Sequence, residues 1–275
     1  MAGTIRLSDE TTDSTLNAHG RSIALALGFF TRLPTRQLQS IKEGDMGRVL
    51  YYLPLAGLLI GIVSALSGYL LSEFLIYWSG EASVLRDVLV GLVTFSLLVV
   101  LTGGLHLDGL ADCADAWVGG LGDKDRTLEI MKDPACGPMA VFIMVILLLL
   151  KAAAVTAMVM ASQWLIIILI PLLSRTAGVA LFKTTDYVRP NGMGKAFVEF
   201  AQKPACEFIV LLCVTIPLLL AGQALLLPLL ITGLFWYWLR KQSVERLGGF
   251  TGDVAGGVIE LTEASLFLFT ALFIV

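Results

Sequence analysis

Charge is scarce in this sequence. Only 15% of its 275 residues are charged and 57% are hydrophobic, whereas about a quarter of a soluble domain is charged. A mean hydropathy of +0.84 excludes an ordinary soluble domain. The net charge of −3 brings no basic surplus, which excludes nucleic acid as a partner. Histidine occurs twice, at His19 and His106, and the four cysteines Cys113, Cys136, Cys206 and Cys213 form no CxxC pair. A thiolate zinc centre and a disulfide framework are therefore both excluded, and the cysteines read as free thiols. Internal repeats, low-complexity tracts and a cleavable leader are also missing. Residues 1–22 are polar, and the apolar run after them, 23–30, is short. That stretch reads as a cytoplasmic tail leading into an interfacial or re-entrant segment.

Apolar windows of about 20 residues recur along the rest of the chain, as a multi-pass membrane protein requires. The runs are continuous rather than alternating, so they predict helices and not a barrel. Seven segments are long enough to span, at about 49–71, 86–103, 138–160, 163–182, 207–221, 224–239 and 258–275. With the N-terminus inside, only Arg86 of the nineteen lysines and arginines falls on the far side. Lys151 and Arg175 fall within spans; they either pair with buried acids such as Glu260 or reach toward a cavity. The expectation is thus an all-α, polytopic membrane helix bundle with a cytoplasmic N-terminus. It comprises a polar tail over 1–22 and one transmembrane catalytic domain over 23–275. The active-site segments 104–137, 183–206 and 240–257 all face the cytoplasm. Such one-sidedness suits an enzyme with cytosolic substrates better than a transporter, which needs midplane ligands and two exits.

The stretch GGLHLDGLADCADA, residues 103–116, holds the densest chemistry. On a helix Asp108, Asp112 and Asp115 fall within about 60° of one another. Three carboxylates so close repel, and a divalent cation resolves the repulsion. All-oxygen donors point to Mg²⁺ or Mn²⁺ rather than zinc. A solvated helix end and an ion-pathway cluster are the alternatives. His106 either exchanges a proton or binds phosphate, or makes a structural hydrogen bond. Arg126 and Lys132 follow at once, and cations beside Mg²⁺ suit a diphosphate substrate.

A second constellation, RLGGFTGDVAGGVIELTE, spans residues 246–263. Gly248, Gly249, Gly252, Gly256 and Gly257 read either as a phosphate-cradling loop or as a flexible connector. Asp253, the one acid in that loop, is a candidate metal ligand or general base. In YVRPNGMGKAF, residues 187–197, Arg189, Asn191 and Lys195 are placed to cover a bulky substrate. The small-residue stretch GLLIG, 57–61, packs either within the bundle or against a second subunit in a homo-oligomer.

FFTRLP (29–34), YYLPLAGLLIG (51–61), GGLHLDGLADCADA (103–116), MKDPACGP (131–138), Ser174-Arg175 and GGFTGD (248–253) occur in that order. Together they resemble the cobalamin synthase family, the adenosylcobinamide-GDP ribazoletransferases, over residues 22–275. The resemblance implies a Mg²⁺-dependent enzyme of the bacterial cytoplasmic (inner) membrane in the last steps of cobalamin biosynthesis. It would join adenosylcobinamide-GDP to α-ribazole or its 5′-phosphate and release GMP. It implies Asp108, Asp112 and Asp115 as metal ligands, with His106 or Asp253 deprotonating the attacking hydroxyl. Arg126, Lys132, Arg189, Gly248 and Gly249 would contact the phosphates. Ala116 and Ala140 stand where the family often carries glycine. A CDP-alcohol-type phosphotransferase acting on lipid head groups is the nearest rival, but its DGxxAR pattern is missing after Asp108-Gly109. An ion-coupled membrane transporter is the rival from another class.

Overall fold

The computed structural model describes residues 17–35, 38, 41–80, 83–190 and 192–274. Most of the expected polar tail, together with Arg36 and Asn191, lies outside the described residues. Eleven helices and no strand occur among those described. They are α1 (Ala18–Phe30), α2 (Glu43–Ser79), α3 (Val84–Thr102), α4 (Leu105–Gly119), α5 (Lys124–Ile130) and α6 (Pro138–Met160). The remainder are α7 (Trp164–Thr184), α8 (Met193–Phe200), α9 (Lys203–Ala221), α10 (Gln223–Leu247) and α11 (Gly252–Ile274). Seven of them, α2, α3, α6, α7, α9, α10 and α11, are long and apolar enough to cross a membrane.

Because successive spans alternate in direction, the connections separate into two kinds. Those at 80–83, 161–163 and Gly222 carry no further helix and fall at one end of the bundle, while the four-residue connection 248–251 falls at the other. The non-spanning helices α1, α4, α5 and α8 all attach at the other end. This is the one-sided arrangement expected from the positions of lysine and arginine. Helix α1 takes in residues 18–22, so the tail expected over 1–22 is helical at its end. Asn17 starts it by accepting the Gly20 N–H at 2.8 Å.

Helix α2 is the axis of the bundle. Its 37 residues reach about 55 Å, well beyond a hydrocarbon core of about 30 Å. Asp45, fully buried near its start, accepts from Arg21 at 2.8 Å and Arg48 at 2.7 Å, which fastens α1 to α2. At its far end Tyr77 and Trp78 are exposed, in the manner of the aromatic side chains that sit at a membrane–water interface. Gly57 and Gly61 meet the backbone of α7 at Pro171 and Ile168 so closely that a side chain would collide. The GLLIG stretch therefore packs within this chain.

Deep in the spans lies an ionic quartet. Lys151 of α6 donates to Glu260 at 2.5 Å and to Glu263 at 2.7 Å, both on α11. Arg175 of α7 pairs with Glu263, which also accepts from Ser174 at 2.9 Å. All four charged side chains are at most 2% exposed. Of the two expectations for Lys151 and Arg175, pairing holds. Two cations and two carboxylates in hydrocarbon persist because each neutralises another, and removing one partner strands a buried charge. Replacing Glu263 by Ala is expected to destabilise the bundle by about 3–5 kcal/mol. A fall in the thermal midpoint in detergent reads this, with Glu245→Ala, from an exposed pair on α10, leaving it unchanged.

Candidate active site

Two left-handed glycines deliver the acidic segment. Gly103 (φ 66°) ends α3 and Gly104 (φ 75°) begins α4, a backbone route that disfavours any residue with a Cβ. Helix α4 then lies against α11 with almost nothing between them. A Cβ on Gly109 would come within 2.7 Å of the Asp253 carbonyl oxygen, and Gly256 and Gly257 face the backbone of His106 and Leu110. The stretch 252–257 is the start of α11, and Gly256 and Gly257 serve helix–helix contact. The phosphate-cradling loop expected over 246–257 shrinks to residues 248–251. Even there the Gly248 N–H donates to Val244 as the cap of α10, and Gly249 packs on the Asp186 carbonyl. The Gly248 N–H is thus already engaged within α10.

The three aspartates of α4 separate. Asp115 turns toward the start of α6, accepting N–H bonds from Gly137 at 2.6 Å, Ala140 at 3.0 Å and Met139 at 3.1 Å. Its charge sits at a helix N-terminus and its lone pairs are largely engaged. Asp108 and Asp112 remain together, joined across the α4–α11 contact by Asp253. The carboxyl of Asp112 is pushed up to about 6, first by burial and then by the like charges of Asp253 and Asp108. Arg189 is the cation of this group, 2.8 Å from Asp253, and its other nitrogen donates to the Met131 carbonyl at 3.4 Å.

A cavity of about 360 Å³ opens beside these groups. Asp108, Asp253, Arg189 and His106 line its polar part, and Phe30, Phe182 and Phe197 its apolar part. His106 is 2% exposed and stacks on Phe30, with ring centroids 6.2 Å apart. Neither ring nitrogen has a hydrogen-bond partner among the described residues, so the structural hydrogen bond weighed for this histidine is not made. Burial, followed by the charges of Arg175 and Lys151, holds its pKa well below the ordinary imidazole value, so the ring is neutral.

The remaining expected residues stay peripheral. Arg126 pairs with Glu129 at 2.7 Å on the exposed side of α5, and Lys132 is exposed beyond that helix. Arg32 was not singled out from the sequence as a binding residue, yet its guanidinium lies over Gly103 and shares a second cavity with Asp108. The signal was present in FFTRLP, whose arginine falls near the Gly103-Gly104 pair only once the chain is folded.

Hard carboxylate oxygens with too little compensating charge match Mg²⁺ chemistry. No set of three His, Cys, Asp or Glu side chains among the described residues is arranged to hold a metal. Mg²⁺ needs no such cage, since it is commonly bound by one or two carboxylates together with substrate phosphates. Asp108 and Asp112, one turn apart, fit that requirement.

Comparison with known proteins follows the same line. A family model described as cobalamin-5-phosphate synthase matches residues 22–271. A Pseudomonas aeruginosa protein named adenosylcobinamide-GDP ribazoletransferase is 44% identical over 253 residues, covering 92% of this chain and 98% of its own. Proteins of the same name from Pseudomonas paraeruginosa and Pseudomonas fluorescens are 45% and 41% identical. The first covers 92% of this chain and the second 90%, each over 98% of its own length. No solved structure matches the chain.

Because Gly109 lets α4 touch α11, Gly109→Ala is expected to force the helices apart and to lower turnover at least tenfold with the protein still folded. Steady-state turnover of purified protein checks this, with Gly233→Ala, which meets open space, as the control that leaves turnover unchanged.

Proposed function

This chain belongs to the cobalamin-5-phosphate synthase family, and on that premise we propose that it is an adenosylcobinamide-GDP ribazoletransferase using Mg²⁺ at α4. The observation that carries the proposal is that Asp108 lines, with Asp253, the cavity that contains His106, while Asp112, one turn on, feels the charge of both. A ribose hydroxyl of α-ribazole, or of its 5′-phosphate, attacks the phosphorus on the cobinamide side of the diphosphate. The new O–P bond forms as the bond to the bridging oxygen breaks, and GMP leaves with that electron pair. Mg²⁺ bound at Asp108 and Asp112 would neutralise the diphosphate and the charge developing on the leaving group.

The chain's own side chains supply the rest. His106, neutral and unpartnered, accepts the hydroxyl proton at a ring nitrogen. Arg189, held between Asp253 and the Met131 carbonyl, is placed to grip phosphate oxygens when substrate arrives. Asp253 orients Arg189, and the apolar wall excludes water that would otherwise hydrolyse the diphosphate. Asp115 serves by fastening α4 to the start of α6. The face bearing α1, α4, α5 and α8 is the cytoplasmic one, where both substrates are soluble, and the membrane is the bacterial inner membrane.

Three outcomes test the reading. Purified protein given adenosylcobinamide-GDP and α-ribazole 5′-phosphate should release GMP and form the joined corrinoid with Mg²⁺, and should stop with EDTA. Asp108→Ala and Asp112→Ala should each lower turnover at least about a thousandfold while the protein elutes as folded, and His106→Ala about a hundredfold or more. Wild-type rates in the aspartate variants would remove the metal assignment. Cys136 is exposed in the loop before α6, so an impermeant maleimide should label it in inverted vesicles and not in intact spheroplasts. The reverse pattern would overturn the orientation.

A further inference from the structure

Two cavities meet at Asp108. The aromatic one described above is about 360 Å³, and a second, of about 350 Å³, lies between the end of α1 and the Gly103-Gly104 turn. Phe29, Leu105 and Asp108 line both, so the cavities are neighbours with the Asp108 carboxylate on their common wall. Their chemistry differs. Phe30, Phe182 and Phe197 of the first are at most 8% exposed, and their rings pack edge-on or tilted around one another. The second is built from Thr31, Arg32, Thr102 and the two glycines.

Arg32 is fixed there by its main chain. Its N–H donates to the Leu101 carbonyl at 2.7 Å, and the Thr31 hydroxyl turns the segment that carries it by accepting the Leu33 N–H at 3.1 Å. The guanidinium lies across Gly103, where any side chain would strike it. Among the described residues no carboxylate pairs with Arg32. A cation held in place beside a carboxylate that does not neutralise it suits an incoming phosphate bound to a metal at that carboxylate.

We propose that the two cavities divide the substrates. The aromatic cavity takes the flat benzimidazole nucleoside of α-ribazole, and the Arg32 cavity takes the guanosine-side phosphate of adenosylcobinamide-GDP. This rests on the activity proposed above. The division places attacking and leaving oxygens on opposite sides of Asp108, as in-line displacement requires. The hydroxyl enters from the side of His106, which takes its proton. The new O–P bond forms as the bridging P–O bond breaks toward Arg32, and GMP leaves with the electron pair. A corrin ring with its amide arms exceeds either cavity and stays outside, attached only through its phosphate. Benzimidazole against phenylalanine edges and faces gains ring–ring contact beyond plain burial.

The test is a crossed kinetic comparison of the full-length enzyme with both substrates and with GMP as product inhibitor. Arg32→Ala is expected to raise KM for adenosylcobinamide-GDP and the GMP inhibition constant about tenfold or more, with KM for α-ribazole unchanged. Arg32→Lys should recover part of that loss. Phe197→Ala should raise KM for α-ribazole about tenfold and leave GMP inhibition as it was. If Phe197→Ala does not fold, Phe197→Leu keeps an apolar filling, removes the ring and should move the same constant. GMP inhibition unchanged in Arg32→Ala, or α-ribazole KM unchanged in a folded Phe197 variant, would overturn the division. An inactive wild-type enzyme would instead overturn the activity. Calorimetric binding of GMP to wild type and Arg32→Ala would still read the phosphate half, with equal affinities refuting it.

Discussion

Helices α4 and α11 approach so closely at Gly109, Gly256 and Gly257 that backbone rests on backbone, and the site exists because of that contact. Asp108 and Asp112 ride on one helix and Asp253 on the first turn of the other, so the spacing of the helices is the spacing of the charges. Packing opposes electrostatics here. Three carboxylates share a partly buried region with Arg189 as their cation, and burial first, then the like charges of Asp253 and Asp108, raise the carboxyl of Asp112. Small residues let dispersion forces act along the whole contact, which holds in place an arrangement that repulsion alone would open. The Mg²⁺ proposed at Asp108 and Asp112 would remove that repulsion.

The ionic quartet sets the other coordinate, the rotation and depth of α11. Asp253, Gly257, Glu260 and Ala264 follow one another at helical spacing, so one stripe of α11 faces α4 and α6 throughout. Its upper part carries Asp253, paired with Arg189, and the close glycine contact. Lower down, Glu260 pairs with Lys151, and the neighbouring Glu263 pairs with Lys151 and Arg175. Sliding or turning α11 would break buried ion pairs before it relaxed the aspartates. The stripe is consequently held at both ends, by van der Waals contact above and by charge below.

Much of this was legible in the sequence because it depends on composition and period. The seven spans, the single face bearing the long connections and the shared face of Asp108 and Asp112 follow from apolar length, lysine and arginine positions and 3.6-residue spacing. What stayed hidden depends on residues distant in the chain. Asp115 has the same helical phase as its companions, yet the N-terminus of α6, more than twenty residues on, claims it. Gly256 and Gly257 look like loop residues on local propensity, yet they are helix contacts because a close neighbour compensates for the missing side chains. Lys151 declared that it needed a partner, but the choice of Glu260 and Glu263 over a cavity was set by three helices meeting.

The quartet also reaches the chemistry, through His106. That ring lies buried at the foot of the cavity, with Lys151 and Arg175 beneath it. Burial and those two cations act in one direction, keeping the imidazole unprotonated. A neutral ring with no internal partner is able to accept a proton, whereas a charged one could only donate. In the role proposed for it, taking the hydroxyl proton would make it a cation sharing the cavity with Asp108 and Asp253, in surroundings where opposite charges attract more strongly than in water. The residues that brace the membrane bundle thus also oppose protonation of His106, so one set of side chains bears both on the stability of the bundle and on the charge state of the histidine in the cavity.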